Sequence, residues 1–341
     1  MKYFLFLLSI LVISCSPKQN NKAITKTNLN DEIHEWDASF PLDKIKLPDG
    51  FKIEIFAKDV KNARSICLSP SGTLFVGTRG KGNVYAIKDT DGDYRADEIH
   101  TIAKGLRMPN GVAFKDGDLY VACVSKVLKF KDIENNLENP PTPETIIDEY
   151  PTERSHGWKY IAFGPDEKLY IPVGAPCNIC DSEDKIFASM TRIDVNKKNL
   201  KRNDIEIVQH GIRNSVGFDW HPKTGEMWFT ENGRDWLGDD SPACELNHAP
   251  KEQMHFGYPY CHQGDTLDPE FGKGKNCDDY TKPVQKLGPH VAPLGIEFYE
   301  GNQFPETYKN QPILAEHGSW NRSTKIGYRL MMIPLDGNMS K

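Results

Sequence analysis

The chain of 341 residues lacks the marks of several large protein classes. No amphipathic stretch of helical period runs beyond two or three turns, which excludes a helical bundle and leaves the chain to strands. No basic stripe interrupts the mixed signs. With 48 acidic and 42 basic side chains the formal net charge is −6, and nucleic acid is excluded as the expected partner. The longest apolar run, Tyr3 to Ile13, is too short to span a bilayer as a mature helix. Cys180 is followed by Asp181, so there is no Cys-x-x-Cys-His for haem attachment, and no second Cys-x-x-Cys stands at zinc-site spacing.

What is present describes a folded, turn-rich chain. Hydrophobic residues make up 38% and aromatics 10%, enough for a packed core. The 27 glycines and 23 prolines favour many short strands joined by turns. The first residues read as an address. Met1-Lys2 is a positive start, and Leu11-Val12-Ile13-Ser14-Cys15 resembles a bacterial lipoprotein cleavage box with Cys15 as the lipidated residue; an ordinary secretory signal is the other reading. Residues 1–15 are then the signal, 16–37 a flexible polar tether, and 38–341 the folded domain. The expected location is outside the cytoplasm, periplasmic or at the outer membrane or cell surface, with the lipid as the membrane contact.

Export makes disulfides expected. The remaining cysteines, Cys67, Cys123, Cys177, Cys180, Cys244, Cys261 and Cys277, are odd in number, so at least one stays unpaired or pairs elsewhere. Cys177-Asn178-Ile179-Cys180 reads as a local structural disulfide or as a redox or metal pair. Cys261 and Cys277 flank a Gly/Asp-rich loop that a disulfide would staple.

One pattern recurs: a Pro/Asp/Gly turn followed by a strand of Leu or Met, an aromatic and an aliphatic residue. Its copies centre on Leu74, Leu119, Leu169 and Met227, spaced 45, 50 and 58 residues apart. An all-β unit at ~40–50 residues is the signature of propeller blades. A β-propeller is therefore expected, with insertions in its later loops.

The polar residues gather between Gln209 and Asn247. Gly211 and Gly217 bracket Arg213-Asn214, suited to a carboxylate or a quinone oxygen or to a blade-to-blade tie. Asn232-Gly233-Arg234-Asp235 offers carbonyls and a carboxylate in a tight turn, as a hard cation or a plain hairpin needs. His156, before Gly157, is either a general base or a surface loop histidine. Asp89, Asp91, Asp93 and Asp97 alternate like a calcium loop, but Tyr94 stands where that loop needs glycine; a solvated hairpin tip is the equal reading. His317 and Arg322, in AEHGSWNR, are further candidates for the same cleft.

Taken together, the motifs GIRNSVGFDWHP, TENGRDWLGDD, VGAPCNIC, YPYC and AEHGSWNRS resemble the glucose/sorbosone dehydrogenase family, on the L-sorbosone dehydrogenase-like side, over about Leu47 to Asp336. That family consists of soluble quinoproteins using pyrroloquinoline quinone (PQQ) and Ca²⁺. The resemblance implies a six-bladed propeller, its last blade incomplete because the chain stops at Lys341. It implies oxidation of a sugar or sugar-derived aldehyde by hydride transfer to the quinone. His156 matches the base, and Arg213 and Asn214 match the pair that contacts the quinone, with Arg213 stabilising developing charge. Asn232 falls where a polar side chain meets the cofactor, and Gly233 and Arg234 where main-chain carbonyls hold Ca²⁺. Arg322 and Lys325 fall among late basic cofactor contacts. A small sugar is the implied substrate and an external cytochrome or quinone the electron acceptor.

Two other functions compete. Pro109-Asn110-Gly111-Val112-Ala113-Phe114 has the character of calcium-dependent lactonase propellers, in which an axial metal activates water. A non-catalytic surface propeller binding glycan or protein is the third reading.

Overall fold

A computed structural model describes residues 40–336 and 339–340. The expectations for the signal, the tether and lipidation of Cys15 lie outside the described residues. The chain divides into two compact units, Met1–Ile55 and Phe56–Lys341. In the first, the described residues hold one short 3-10 turn, Leu42–Lys44. Residues 51–57, which alternate like a strand, form none. Alternation makes a strand only where a neighbour supplies the hydrogen-bond ladder.

The second unit is a β-propeller built from small antiparallel sheets. Blade 1 is β1 (Ala63–Leu68), β2 (Leu74–Thr78), β3 (Val84–Lys88) and β4 (Glu98–Ala103). Blade 2 is β5 (Gly111–Lys115), β6 (Asp118–Ala122), β7 (Val127–Phe130) and β8 (Glu144–Ile147). Blade 3 is β9 (Ala162–Phe163), β10 (Leu169–Val173), β11 (Ser189–Ile193) and β12 (Glu206–His210). Blade 4 starts with β13 (Phe218–Trp220), β14 (Met227–Glu231) and β15 (Ala243–Ala249). An insertion then carries β16 (Met254–His255), β17 (Cys261–His262) and β18 (Thr266–Leu267) before β19 (Gln285–Pro289) completes the blade. β16 reaches back to pair in parallel with β12 of blade 3. Blade 5 is β20 (Pro293–Phe298), β21 (Pro312–Glu316) and β22 (Arg329–Met332), and a two-stranded hairpin, β23 (Leu335–Asp336) with β24 (Met339–Ser340), follows.

The four sequence repeats are the second strands of blades 1 to 4, β2, β6, β10 and β14. Each is almost wholly buried, because a second strand has a neighbour on both edges and a blade against each face. Apolar clusters fill the space between successive blades: Phe75 with Leu128 and Phe130, Ile147 with Ile171, Tyr170 with Phe218, and Trp228 with Leu314. The innermost strands pack edge by edge, β1 beside β5, β5 beside β9 and β13 beside β20. Where they meet, side chains are excluded. A Cβ on Gly77 would stand 2.0 Å from the Asn110 carbonyl oxygen, and one on Gly217 would stand 1.9 Å from that of Leu294.

Five blades, not six, stand among the described residues. Blades 1 and 5 border a cleft of about 560 Å³. In its wall Ile66 of β1 is 59% exposed and Leu330 of β22 is 73% exposed. The sixth sheet that the resemblance implied is not formed by the hairpin β23–β24, whose strands are two residues each.

Both disulfides are closed, Cys177–Cys180 and Cys261–Cys277, and Cys67, Cys123 and Cys244 are free. The second bridge closes the blade 4 insertion into a compact loop.

Gly217→Ala forces a methyl group into the Leu294 carbonyl and should cost about 1–3 kcal/mol, lowering Tm by several degrees. Gly295→Ala, next to it, meets nothing closer than the Ala315 Cβ at 4.0 Å and should leave Tm near the parent value. Equal melting of the two variants in thermal unfolding would refute the close approach of blades 4 and 5.

Candidate active site

A cavity of about 360 Å³ opens where the loops of several blades converge. Its wall brings together His156, Arg213, Asn214, Asn232, Gly233 and His317, which lie far apart in sequence. It adds Arg64, Arg79, Trp158, Asp235, His290 and Trp320.

His156 sits in a left-handed backbone conformation, φ 48°, which costs a non-glycine residue strain and persists only where the surroundings impose it. Gly174, directly after β10, makes the seat. A Cβ there would lie 2.5 Å from the His156 Cβ and 3.2 Å from the Arg213 carbonyl oxygen. The next residue fastens both. The Ala175 N–H donates to the Arg213 carbonyl at 2.7 Å, and the Ala175 carbonyl lies 2.8 Å from His156 Nδ1. A carbonyl only accepts, so Nδ1 carries the hydrogen and Nε2 keeps its lone pair. Burial, and then the Arg213 charge, lower the imidazole pKa to about 3. The ring is neutral and can take a proton.

Arg213 is more committed than its sequence motif suggests. Nε donates to the Asn178 carbonyl at 2.8 Å, Nη1 to the Asn232 carbonyl at 3.1 Å, and Nη2 to Asn178 Oδ1 at 2.8 Å and Asp235 Oδ2 at 3.3 Å. What Arg213 has left for a ligand is its charge and one remaining Nη1 hydrogen. The guanidinium instead ties the 232–235 turn to the loop of the Cys177–Cys180 bridge. Asn178, inside that bridge, also donates to the Asp235 carbonyl at 3.0 Å and accepts the Asp235 N–H at 2.8 Å. The disulfide thus holds the residue that holds Arg213.

Asn214 is fixed from below. Its N–H donates to Glu231 Oε1 at 2.9 Å. Glu231 pairs across β14 and β15 with Glu245, and both carboxyls are buried. Burial, then the neighbouring Glu245, push the Glu231 pKa well up, and burial takes Glu245 to about 7. Glu231 Oε2 and Asn247 Oδ1 are buried without a hydrogen-bond partner among the described residues.

Asn232 spends its amide hydrogens on the carbonyls of Asn214 and Pro293, which leaves Oδ1 to offer. In the same turn the Gly233 and Arg234 carbonyls take no main-chain hydrogen among the described residues. Those are the acceptors a hard cation needs. The Arg234 side chain turns into the insertion, where Asp268 at 2.5 Å and Glu270 at 3.2 Å bind it. Burial alone would raise Asp268, but His262 and Arg234 outweigh it and hold the carboxyl at about 2.

Two expected cofactor contacts fall elsewhere. Arg322 donates to the Asp239 carbonyl and to Asp240, and Lys325 to the carbonyls of Trp320 and Arg322. Neither lines the cavity, because both charges are absorbed by their own loop and its neighbour. At the β3–β4 hairpin tip the oxygens of Asp89, Asp91 and Asp97 can converge, while Asp93 accepts from the Arg95 N–H and stands apart. Asp89 accepts the N–H groups of Gly92 and Tyr94, and Asp97 that of Thr90, so these carboxylates build their own turn.

The residues that sequence reasoning missed are the cations and rings of blade 1 and of the rim. Arg79 stacks on Trp158 at 3.8 Å, and Trp158 meets His156 edge-on at 6.2 Å. The buried Trp158 N–H has no acceptor among the described residues. Trp320, 63% exposed, lies 5.5 Å from Trp236, 66% exposed, as a paired aromatic surface at the mouth. Single arginines and tryptophans give no pattern in sequence; only the ring of blades assembles them.

The TrAA12-like family model matches residues 45–341. An uncharacterized protein of Borreliella burgdorferi is 35% identical over 315 residues, covering 86% of this chain and 77% of that protein. The pyrroloquinoline quinone-dependent pyranose dehydrogenase of Coprinopsis cinerea is 21% identical over 341 residues, covering 86% of this chain but only 45% of that enzyme. The holo form of its PQQ domain superposes with a TM-score of 0.68 at 19% identity, over 80% of this chain and 75% of that one. A calcium structure of the Trichoderma reesei family AA12 protein superposes with a TM-score of 0.75 at 20% identity, over 86% and 84% of the two chains. The match over nearly the whole folded region is decisive: the chain belongs to the TrAA12-like family.

Proposed function

We propose that this protein oxidises a sugar or a sugar-derived aldehyde of the pyranose class, with PQQ and Ca²⁺ bound in the 360 Å³ cavity. The observation that carries the reading is the neutral His156, its Nε2 free, facing the same cavity as Arg213 and Asn214. The family relation to a PQQ-dependent pyranose dehydrogenase supports it.

The residues fit the group. The cavity lies in the ~300–1,000 Å³ range of small-ligand sites. PQQ is flat and carries three carboxylates. Arg64, Arg79 and Arg213 supply positive charge, and the unpaired Trp158 N–H a donor. The Gly233 carbonyl and Asn232 Oδ1 in the cavity wall are hard oxygen donors for Ca²⁺, and the Arg234 carbonyl, outside that wall, is the next in the turn. When bound, the quinone accepts a hydride, the ion polarises its carbonyl, and the electrons leave to an external cytochrome or quinone.

The chain's own part is positioning and proton transfer. His156 Nε2 accepts the proton of the anomeric or hydrate hydroxyl as that carbon is oxidised. Its Nδ1–H stays on the Ala175 carbonyl and fixes the ring's direction. Arg213 places a fixed positive charge beside the Asn214 loop, where negative charge develops. The Trp236–Trp320 pair offers an apolar surface for a sugar ring. A lactonase would need several acidic or amide ligands converging on a metal. The cavity wall supplies the amides of Asn214 and Asn232 but one carboxylate, Asp235, already paired with Arg213, and its remaining charges are the cations Arg64 and Arg79. Export, and anchoring through Cys15, complete the proposal.

With PQQ and Ca²⁺ added, the purified protein should reduce a redox dye in the presence of aldoses or sorbosone, and His156→Ala should lower the rate by about 10²–10⁴-fold. Dye reduction unchanged in that variant removes His156 as the base. Gly174→Ala, by pushing against the His156 Cβ, should lower kcat by on the order of 10² and cost about 1–3 kcal/mol of stability. A variant as active as the parent would refute the seat. The pH dependence follows from the depressed imidazole: with its pKa at about 3, the neutral form persists from pH 7 to pH 5. kcat/KM should hold across that window, and an acid limb centred near ~6.5 would show that burial and Arg213 do not depress the imidazole.

A further inference from the structure

Beside the cavity lies a second cleft of about 610 Å³, lined by Asn62, Arg79, Gly80, Leu106, Arg107, Met108, Arg154 and Trp158. Three of those eight residues are arginines and none is acidic. The stacked pair Arg79–Trp158 is its common wall with the cavity of His156.

The charges here are uncompensated. Arg192, Arg202, Arg213, Arg234, Arg322 and Arg329 each pair with a carboxylate. Among the described residues, Arg64, Arg79, Arg107 and Arg154 pair with none. Among the described residues the Arg107 guanidinium has one bond, to the Thr152 carbonyl at 3.0 Å. Burial, and then Arg79, lower the pKa of Arg64; burial, and then Arg154, lower that of Arg79. The line Arg64–Arg79–Arg154 therefore repels itself. A chain with six more acids than bases has carboxylates to spare and places none in this cleft. Clustered guanidinium groups without partners are the arrangement that recognises oxoanions.

Resting on the dehydrogenase reading, we infer that the substrate is an anionic sugar. Its acid group, a uronate carboxylate or a phosphate or sulfate ester, binds Arg107 and Arg154 in the cleft beside Arg79, while the carbon to be oxidised enters the cavity at His156. The geometry suits it: the indole of Trp158 has Arg79 at 3.8 Å and His156 at 6.2 Å, so the anion site and the base flank a single ring. The cofactor's own carboxylates do not account for Arg107 and Arg154, which do not line the cavity.

The test is equilibrium binding by calorimetry to the full chain, with and without PQQ and Ca²⁺. Galacturonate, glucose 6-phosphate, glucose and inorganic sulfate serve as probes at low and high salt. The double variant Arg107→Ala/Arg154→Ala runs in parallel, with Arg154→Ala as the milder companion. Both side chains are exposed, and unchanged melting checks the fold. A charged sugar should bind at least about tenfold tighter than glucose, with the advantage shrinking in salt. The double variant should lose about tenfold of that affinity while keeping its quinone affinity. Preference for galacturonate or for the phosphate decides which acid group is read.

Binding of charged sugars no tighter than glucose overturns the inference. So does inorganic sulfate binding as well as either sugar, or a double variant that loses quinone instead. Loaded enzyme that oxidises neutral and charged sugars alike leaves the dehydrogenase reading standing without this one. Tight galacturonate binding with no quinone-dependent oxidation of any sugar removes the dehydrogenase reading and keeps the anion cleft.

Discussion

The main-chain peptide at Ala175 holds both halves of the candidate site. Its N–H fixes the backbone of Arg213 and its carbonyl orients the His156 ring. Because both bonds come from one residue just past the end of β10, the base and the cation cannot move independently of that strand. β10 is buried along its whole length, so the position of the chemistry is inherited from the packing of blade 3. Gly174 is the condition for it, since any side chain there collides with His156. The left-handed backbone of His156 is tolerated because this seat and the Nδ1 bond impose it together.

Around that peptide the fold supplies two kinds of support. One is covalent and local: the Cys177–Cys180 bridge presents Asn178, whose side chain joins Arg213 to Asp235. The other is a buried acid. Glu231 reaches up from the end of β14 to the N–H of Asn214, against the cost of its own burial and of Glu245 beside it. Removing two carboxyls from water is expensive unless they meet hydrogen-bond donors. Here the donors are the Asn214 main chain for one and Asn247 and Gln263 for the other. Stability in this corner is spent on the shape of the site.

The cations divide the same way. Where an arginine has an acid it ties elements together: Arg234 with Asp268 and Arg329 with Glu316 face away from the cavity, and Arg213 with Asp235 does so within its wall. Where it has none, as with Arg64 and Arg79, it lines open space. A guanidinium cannot shed its charge as a histidine does, so an unpaired one keeps its field for something arriving from outside.

The sequence by itself determined the all-β propeller, because the turn–strand unit recurs through β2, β6, β10 and β14 and each copy must bury both faces. It also determined the family and the residues carried by contiguous motifs: His156, Arg213, Asn214, Asn232 and Gly233 are all in one cavity wall. Only the tertiary structure decided what contact, not spacing, controls. The count of five blades followed from ladders actually formed, since an alternating stretch such as residues 51–57 makes no strand without a partner. Arg322 and Lys325 left the site because nearby carbonyls and Asp240 reached them first. Arg64, Arg79 and Trp158 entered it with no motif at all. Blade 1 places the first two and the loop before blade 3 the third, and closure of blades around an axis is a long-range arrangement that no local pattern encodes.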